Sequence, residues 1–89
     1  MSMKNQIEAK LQKTFSPESL DVIDESADHH GHAGWREGGE THFRVRMSAL
    51  AFSGQNRVDR QRAVNRCLTE ELASSVHALA MELRAPDDP

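Results

Sequence analysis

The chain has 89 residues, of which 37% are hydrophobic and 28% charged, and its formal net charge is −3. This length allows one domain with a single modest core, which excludes an enzyme whose site lies between two lobes. The negative charge makes the whole molecule a poor electrostatic match for nucleic acid. A single cysteine, Cys67, excludes an internal disulfide framework. Since neither a membrane-spanning apolar run nor a leader peptide is visible, we expect a cytoplasmic location.

Apolar periodicity predicts a helix at the start of the chain, over about residues 3–14. Its stripe recurs at every fourth position and consists of Ile7, Leu11 and Phe15. Ser16-Pro17 ends this helix, because the residue before a proline is disfavoured in helical conformation. A short apolar run over residues 20–23 then predicts the first strand.

Residues 27–40 are rich in glycine and histidine. This segment holds four of the five glycines, and three of the five histidines, namely His29, His30 and His32. Glycine at this density opposes both helix and strand, so we expect a long flexible loop. Imidazoles are common metal ligands, and three of them on one loop could reach one ion. The local pattern by itself favours the alternative, a solvated loop without a metal site.

Residues 41–48 alternate between apolar and polar side chains, which predicts a half-exposed strand. Every second residue from Phe43 to Met47 would face the core. His42 would lie on the polar face, where hydrogen bonding across the sheet is its expected role. Residues 48–52 predict a short apolar turn or helix closed by Gly54.

A second helix is expected over residues 56–73. Asn56 fits an N-cap, and Asp59 stands where a capping box places its acid. The apolar stripe of this helix consists of Val64, Leu68 and Leu72. Cys67 lies beside the stripe, which favours a small buried hydrophobe over a reactive thiolate.

The same helix carries four arginines. Arg62 and Arg66 would share the outer face, where Arg66 could pair with Glu70. Arg57 and Arg60 would lie on another side of the first turn. Because no continuous basic stripe results, a solvated face competes with a surface that contacts phosphate or an acidic partner.

The last element is ambiguous between strand and helix. Alternation over residues 76–83 fits a strand and would place His77 on one face with Leu79 and Met81. The spacing from Leu72 also continues the preceding helix, and alanine and methionine favour helix slightly. His77 is a candidate site residue, although a core-edge histidine bonded to a backbone carbonyl is the simpler interpretation. No paired nucleophile and base is visible, so no enzymatic activity is expected.

Seven short motifs, in order from Ile7 to Pro86, resemble the BolA family. They are Asp24-Glu25-Ser26, a histidine-containing loop, Glu40-Thr41-His42-Phe43, Phe52-x-Gly54, Val58-x-Arg60-x-Arg62-x-Val64, Glu70-Glu71-Leu72 and Val76-His77-Ala78-Leu79-Ala80. The resemblance implies one BolA-like domain over residues 1–89 with its core at about 7–86. Its α+β fold would run α-β-β-α-α-β, with a KH type II-like three-stranded mixed sheet and the helices on one face. The tail then becomes a strand parallel to residues 41–48, because the intervening helix supplies the crossover.

The resemblance also implies a function. BolA-like proteins pair with monothiol glutaredoxins and contribute histidine ligands to a shared [2Fe-2S] cluster, for cluster trafficking or iron regulation. Cysteine and glutathione thiolates would come from the glutaredoxin side. In this chain the ligands would be His77 and one loop histidine, which is His29 by counting from Asp-Glu-Ser, or else His30 or His32. Alone, the protein is expected to be a colourless monomer without metal.

Two other functions compete with this one. DNA binding is attributed to some BolA-like proteins, and a helix-turn-helix-like segment would lie here at residues 48–73. The net charge, the divided arginines and the missing Gly-x-x-Gly loop of KH domains argue against it. A protein-interaction adaptor with incidental histidines is the third possibility. One departure from the family pattern is Gln61, which stands where a histidine is usual and is expected to lean towards the buried side.

Overall fold

The computed structural model describes residues 2–26 and 41–88. The predicted Gly/His loop at 27–40 therefore lies outside the described residues. The elements are α1 (Met3–Phe15), β1 (Ser19–Asp24), β2 (His42–Ser48), a short 3₁₀ helix (Leu50–Phe52), α2 (Arg57–Cys67), α3 (Thr69–Ala73) and β3 (Ala78–Arg84). In the two described ranges no helix has both the length and the apolar character needed to cross a membrane.

Helix α1 follows the predicted helix closely and ends one residue later. The Ser2 hydroxyl caps its first turn by accepting the backbone N–H three residues on. Ser16 adopts a left-handed conformation with φ 45°, and its N–H closes the last turn. Ile7 and Leu11 are fully buried and Phe15 is half-buried, so the predicted apolar stripe is confirmed.

The three strands form one mixed sheet with β2 in the centre. Val45 of β2 pairs with Val22 of antiparallel β1 and with Met81 of parallel β3. Helices α2 and α3 form the crossover that the parallel pair requires. The tail is therefore a strand, as the family resemblance implied. The helix predicted from the propensity of alanine and methionine is wrong. Pairing with β2 outweighs that propensity, which is roughly a few tenths of a kcal/mol per residue.

The helices cover one face of the sheet, and charged side chains occupy the other. The largest fully buried side chains are Phe43, Phe52, Ile7, Leu11, Leu68, Val45 and Val64. On the opposite face, Arg44 and Arg46 both contact the Glu82 carboxylate, at 3.3 and 2.9 Å. The alternation predicted for β2 is thus confirmed from Phe43 to Met47.

The helix predicted over residues 56–73 is in fact two helices. Asn56 caps α2 as predicted, by accepting the backbone N–H three residues on at 2.8 Å. At Leu68 the backbone turns to φ −105° and ψ 23°, which ends α2 before α3 begins. The Thr69 hydroxyl donates to two carbonyls of the last turn of α2, at 2.9 and 3.1 Å. No glycine or proline marks this break, and the apolar spacing continues through it. Neither feature of the sequence therefore predicted the break.

Candidate functional site

His77 lies directly before β3, and its side chain is exposed. Its backbone N–H donates to the Thr41 carbonyl at 2.7 Å, and the N–H of Ala78 donates to the same carbonyl at 3.2 Å. Successive N–H groups of a regular strand point in opposite directions, so the alternation begins only at Ala78. The alternation had predicted that His77 shares a face with Leu79, and this prediction was wrong. Its imidazole is therefore accessible to a ligand or a partner.

Ser26 joins the two chain ends that flank residues 27–40. Its hydroxyl accepts the backbone N–H of Thr41 at 2.9 Å and that of His42 at 3.2 Å. The same hydroxyl donates to the carboxylate two residues earlier. Ser26 is only 2% exposed, so these bonds are shielded from competing water. Both ends of the 27–40 segment are therefore fixed next to the carbonyl that binds the His77 N–H.

The loop histidines predicted as ligands, His29, His30 and His32, lie outside the described residues. Within residues 2–26 and 41–88, no group of three or more His, Cys, Asp or Glu side chains could hold a metal ion. What the structure establishes is the position of the segment's ends. The chain leaves at Ser26 and returns at Thr41, beside His77.

His42 shares a face of β2 with Arg44 and Arg46, as the alternation predicted, but it is buried there, and its hydrogen bond across the sheet stays a prediction. The residue is 4% exposed, and its Nδ1 lies 2.9 Å from the Oγ1 of its own neighbour Thr41. Its ring centroid is 5.3 Å from that of His77, with the ring planes inclined at 56°. The strand register places His42 opposite Ala78, whose small side chain leaves room for a ring. Two imidazoles therefore meet at this end of the sheet.

The hydroxyl of Thr41 lies between two possible hydrogen-bond partners. Ser26 Oγ, which accepts two backbone N–H groups, lies 3.4 Å from Thr41 Oγ1. Nδ1 of His42 lies closer, at 2.9 Å. Thr41 therefore connects the hydrogen bonds of Ser26 with the ring of His42.

The four arginines of α2 are divided between the surface and an internal ion pair. Arg57, Arg62 and Arg66 are exposed. Arg60 is not available to a partner, because its side chain is only 11% exposed and donates to both carboxylate oxygens of Asp88, at 2.6 and 2.8 Å. It also donates to two backbone carbonyls, one of them in β3. The predicted basic surface is thus reduced to three arginines.

Three smaller predictions about α2 have different outcomes. The predicted pair of Arg66 with Glu70 does not form, and Glu70 lies instead 3.7 Å from Lys10 of α1. Gln61 is half-buried, as predicted, and lines a cleft of about 440 Å³ between α2 and β3. Cys67 is likewise half-buried, with its Sγ 3.6 Å from the carbonyl of Lys10. Its position between α1 and α2 agrees with the packing role predicted from the sequence.

The order of elements and the mixed sheet define a small α+β domain with helices on one face and an exposed histidine directly before its last strand. The BolA family model, described as BolA-like protein, matches residues 11–88. The chain belongs to the BolA family, as its motifs had indicated.

Relatives and solved structures agree with this assignment. The chain is 44% identical over 80 residues to BolA-like protein 1 of Mus musculus, covering 90% of this chain and 56% of that protein. It is 40% identical over 81 residues to the DNA-binding transcriptional regulator BolA of Escherichia coli, covering 91% and 73%. The BolA domain of SufE1 from Arabidopsis thaliana superposes with a TM-score of 0.87 at 38% identity, over 97% of this chain and 94% of that one. The chain therefore spans little more than half the length of the mouse relative.

Proposed function

We propose that this chain pairs with a monothiol glutaredoxin and contributes histidine ligands to a [2Fe-2S] cluster shared with that protein and glutathione. One observation carries the proposal. The exposed imidazole of His77 lies where both ends of the 27–40 segment are fixed, and that segment holds three further histidines. A surface imidazole beside a histidine-rich segment is a suitable place to receive an iron ion from a partner.

The chemistry of the donors is compatible with this role. In the described ranges, the His77 side chain has a ring contact with His42 and no hydrogen bond to either imidazole nitrogen, so the nitrogens are available to iron. Imidazole is a neutral ligand, whereas the thiolates of the glutaredoxin side are anionic. A cluster with imidazole on one iron carries less negative charge and has a higher reduction potential than an all-thiolate cluster. This chain would therefore tune a cluster that its partner mainly holds, as an accessory protein and not as an enzyme.

Co-expression with a monothiol glutaredoxin tests the proposal. The wild-type pair should co-purify as a coloured complex with iron and sulfide in equal amounts and a visible circular dichroism spectrum. His77→Ala should change that spectrum and shorten the lifetime of the cluster. Arg84→Ala is the matched control, because Arg84 is exposed at the far end of β3, about 20 Å away at the usual rise per residue. A His77→Ala complex with the wild-type spectrum and lifetime would refute the role of His77.

DNA binding is the second candidate function, and two observations favour it. The Escherichia coli relative is named as a DNA-binding transcriptional regulator. Arg57, Arg62 and Arg66 are exposed on α2, within the segment 48–73. Titration of duplex DNA at several salt concentrations tests it. If the arginines contact phosphates, the affinity for DNA falls steeply as the salt concentration rises. Replacing all three by alanine should then reduce the slope of log affinity against log salt by the equivalent of about three phosphate contacts. Binding that does not respond to salt or to this triple substitution would exclude the surface.

A further inference from the structure

We infer that His42 is a positioning residue for His77: its buried ring packs against the exposed imidazole and restricts the directions in which that imidazole can point. The part of this inference that concerns a cluster rests on the proposed function. The part that concerns the side chain of His77 does not, and it can be tested on the protein alone.

His42 itself is held firmly. It is buried on the strand β2, and its Nδ1 lies within hydrogen-bond distance of the Thr41 hydroxyl oxygen, at 2.9 Å. Thr41 is held in turn, because its N–H donates to Ser26 and its carbonyl accepts the N–H of His77. A ring with a fixed backbone and a hydrogen bond at one nitrogen has little freedom to rotate about χ2.

The rings of His42 and His77 are in contact. Their centroids are 5.3 Å apart and their planes are inclined at 56°, which is within the range that packed aromatic pairs adopt. The backbone of His77 is fixed on the same carbonyl of Thr41, so both the base and one side of the His77 side chain are constrained. An exposed histidine without such a neighbour would sample several rotamers.

A restricted His77 ring would bind a metal ion more tightly than a freely rotating one. Metal-binding histidines usually depend on neighbours that orient the ring, and loss of such a neighbour typically weakens metal binding about 10–100-fold. The usual neighbour is a hydrogen-bond acceptor on the second ring nitrogen. Here the orienting contact is a second imidazole against the face or edge of the ring, which leaves both nitrogens of His77 available.

The experiment on the free protein measures the χ1 angle of His77. Three-bond couplings from the backbone nitrogen and carbonyl carbon to the His77 Cγ distinguish one rotamer from an average. We expect one dominant rotamer in the wild type and in His42→Phe, which keeps a ring at this position, and averaged couplings in His42→Ala. Ser48→Ala is the matched control, since Ser48 occupies the same face at the other end of β2.

Thr41→Val gives a second, milder variant in case His42→Ala does not fold. It keeps the shape of the side chain and removes the hydroxyl that binds Nδ1, so partial averaging at His77 is expected. Averaged couplings in the wild type, or couplings in both His42→Ala and Thr41→Val that equal those of the wild type, would overturn the inference.

The experiment on the complex compares cluster lifetimes. In complexes with a monothiol glutaredoxin, His42→Ala should lose the cluster about tenfold faster than the wild type, and His42→Phe should stay close to it. Equal lifetimes for His42→Ala and wild type would overturn the link to ligation. If His77→Ala leaves the cluster unchanged, the proposed function fails, while the couplings in the free protein still decide whether His42 orients His77.

Discussion

The guanidinium of Arg60 binds the carboxylate of Asp88 through two hydrogen bonds, at 2.6 and 2.8 Å, although the residues are 28 positions apart. The same side chain donates to the carbonyl of Leu83 at 3.3 Å. Asp88 also accepts the N–H of Ala85 at 3.0 Å. This arrangement ties α2 to the end of β3 and to the residues that follow it. The paired arginines at 60 and 62 in the family motif therefore have different roles, since only Arg62 remains on the surface.

Arg60→Ala should lower the stability of the domain clearly more than Arg62→Ala. Loss of Arg60 removes the charged donor from the Asp88 carboxylate and a hydrogen bond from the Leu83 carbonyl, and weakly paired polar groups are costly when partly shielded from water. Arg62 is exposed, and its ion pair with Asp59 is 3.9 Å long, so its replacement should change the free energy of unfolding by less than about 0.5 kcal/mol. Chemical denaturation of both variants measures the difference, and equal midpoints would contradict the role assigned to Arg60.

The stability contributed by Asp88 should depend on pH. Hydrogen bonds from Arg60 and from the backbone of Ala85 hold the pKa of Asp88 far below its ordinary value of 3.8. A carboxyl whose pKa is lowered by folding stabilises the protein fully above its unfolded pKa, and this stability is lost as the pH falls towards the folded pKa. The gap between the wild type and Asp88→Asn should therefore be widest above about pH 5 and should narrow in more acidic solution. Denaturation midpoints measured from neutral pH downwards test this, and a constant gap would contradict it.

Leu11 and Leu50 provide a matched pair for testing the core. Leu11 of α1 is fully buried, whereas Leu50 is 70% exposed. Leu11→Ala should cost about 2–5 kcal/mol of unfolding free energy, because it removes apolar contacts and leaves a cavity. Leu50→Ala should change it by less than about 0.5 kcal/mol. Urea denaturation provides the comparison. A loss of unfolding free energy in Leu11→Ala as small as that in Leu50→Ala would place α1 outside the core.

The histidines of the 27–40 segment should be partly redundant as cluster ligands. Single replacements of His29, His30 or His32 are expected to have partial effects on the cluster spectrum, because a neighbouring imidazole can take over. The triple replacement should have a large effect. Visible circular dichroism of the four complexes with a monothiol glutaredoxin measures both. A triple variant with the wild-type spectrum would exclude this segment as a source of ligands.

The histidine pair and the Ser26 hydrogen bonds illustrate what sequence reasoning could and could not find. The family motifs singled out His77 as an expected ligand, and the Asp24-Glu25-Ser26 triplet only as a mark of membership. A serine two residues after an aspartate is a common local turn signal, which could have suggested the bond between them. That the Ser26 hydroxyl also holds Thr41, 15 residues later, depends on how β1 and β2 pair.

Local patterns determined much of the fold. Apolar spacing of four placed Ile7 and Leu11 in the core, alternation placed Phe43 and Val45 there, and the cap at Asn56 marked the start of α2. These signals work because burial and capping depend on residues close together in the chain. The order of motifs was sufficient to identify the family, and with it the strand at the end of the chain.

Tertiary structure decided the features for which distant residues compete. The strand β3 forms against its helix propensity because β2 offers it a row of backbone partners. His42 is buried because the register places it opposite Ala78, and Arg60 is drawn inward because Asp88 lies within its reach. In each case the deciding contact joins residues more than 25 positions apart, and neither local propensity nor periodicity contains information about such a contact.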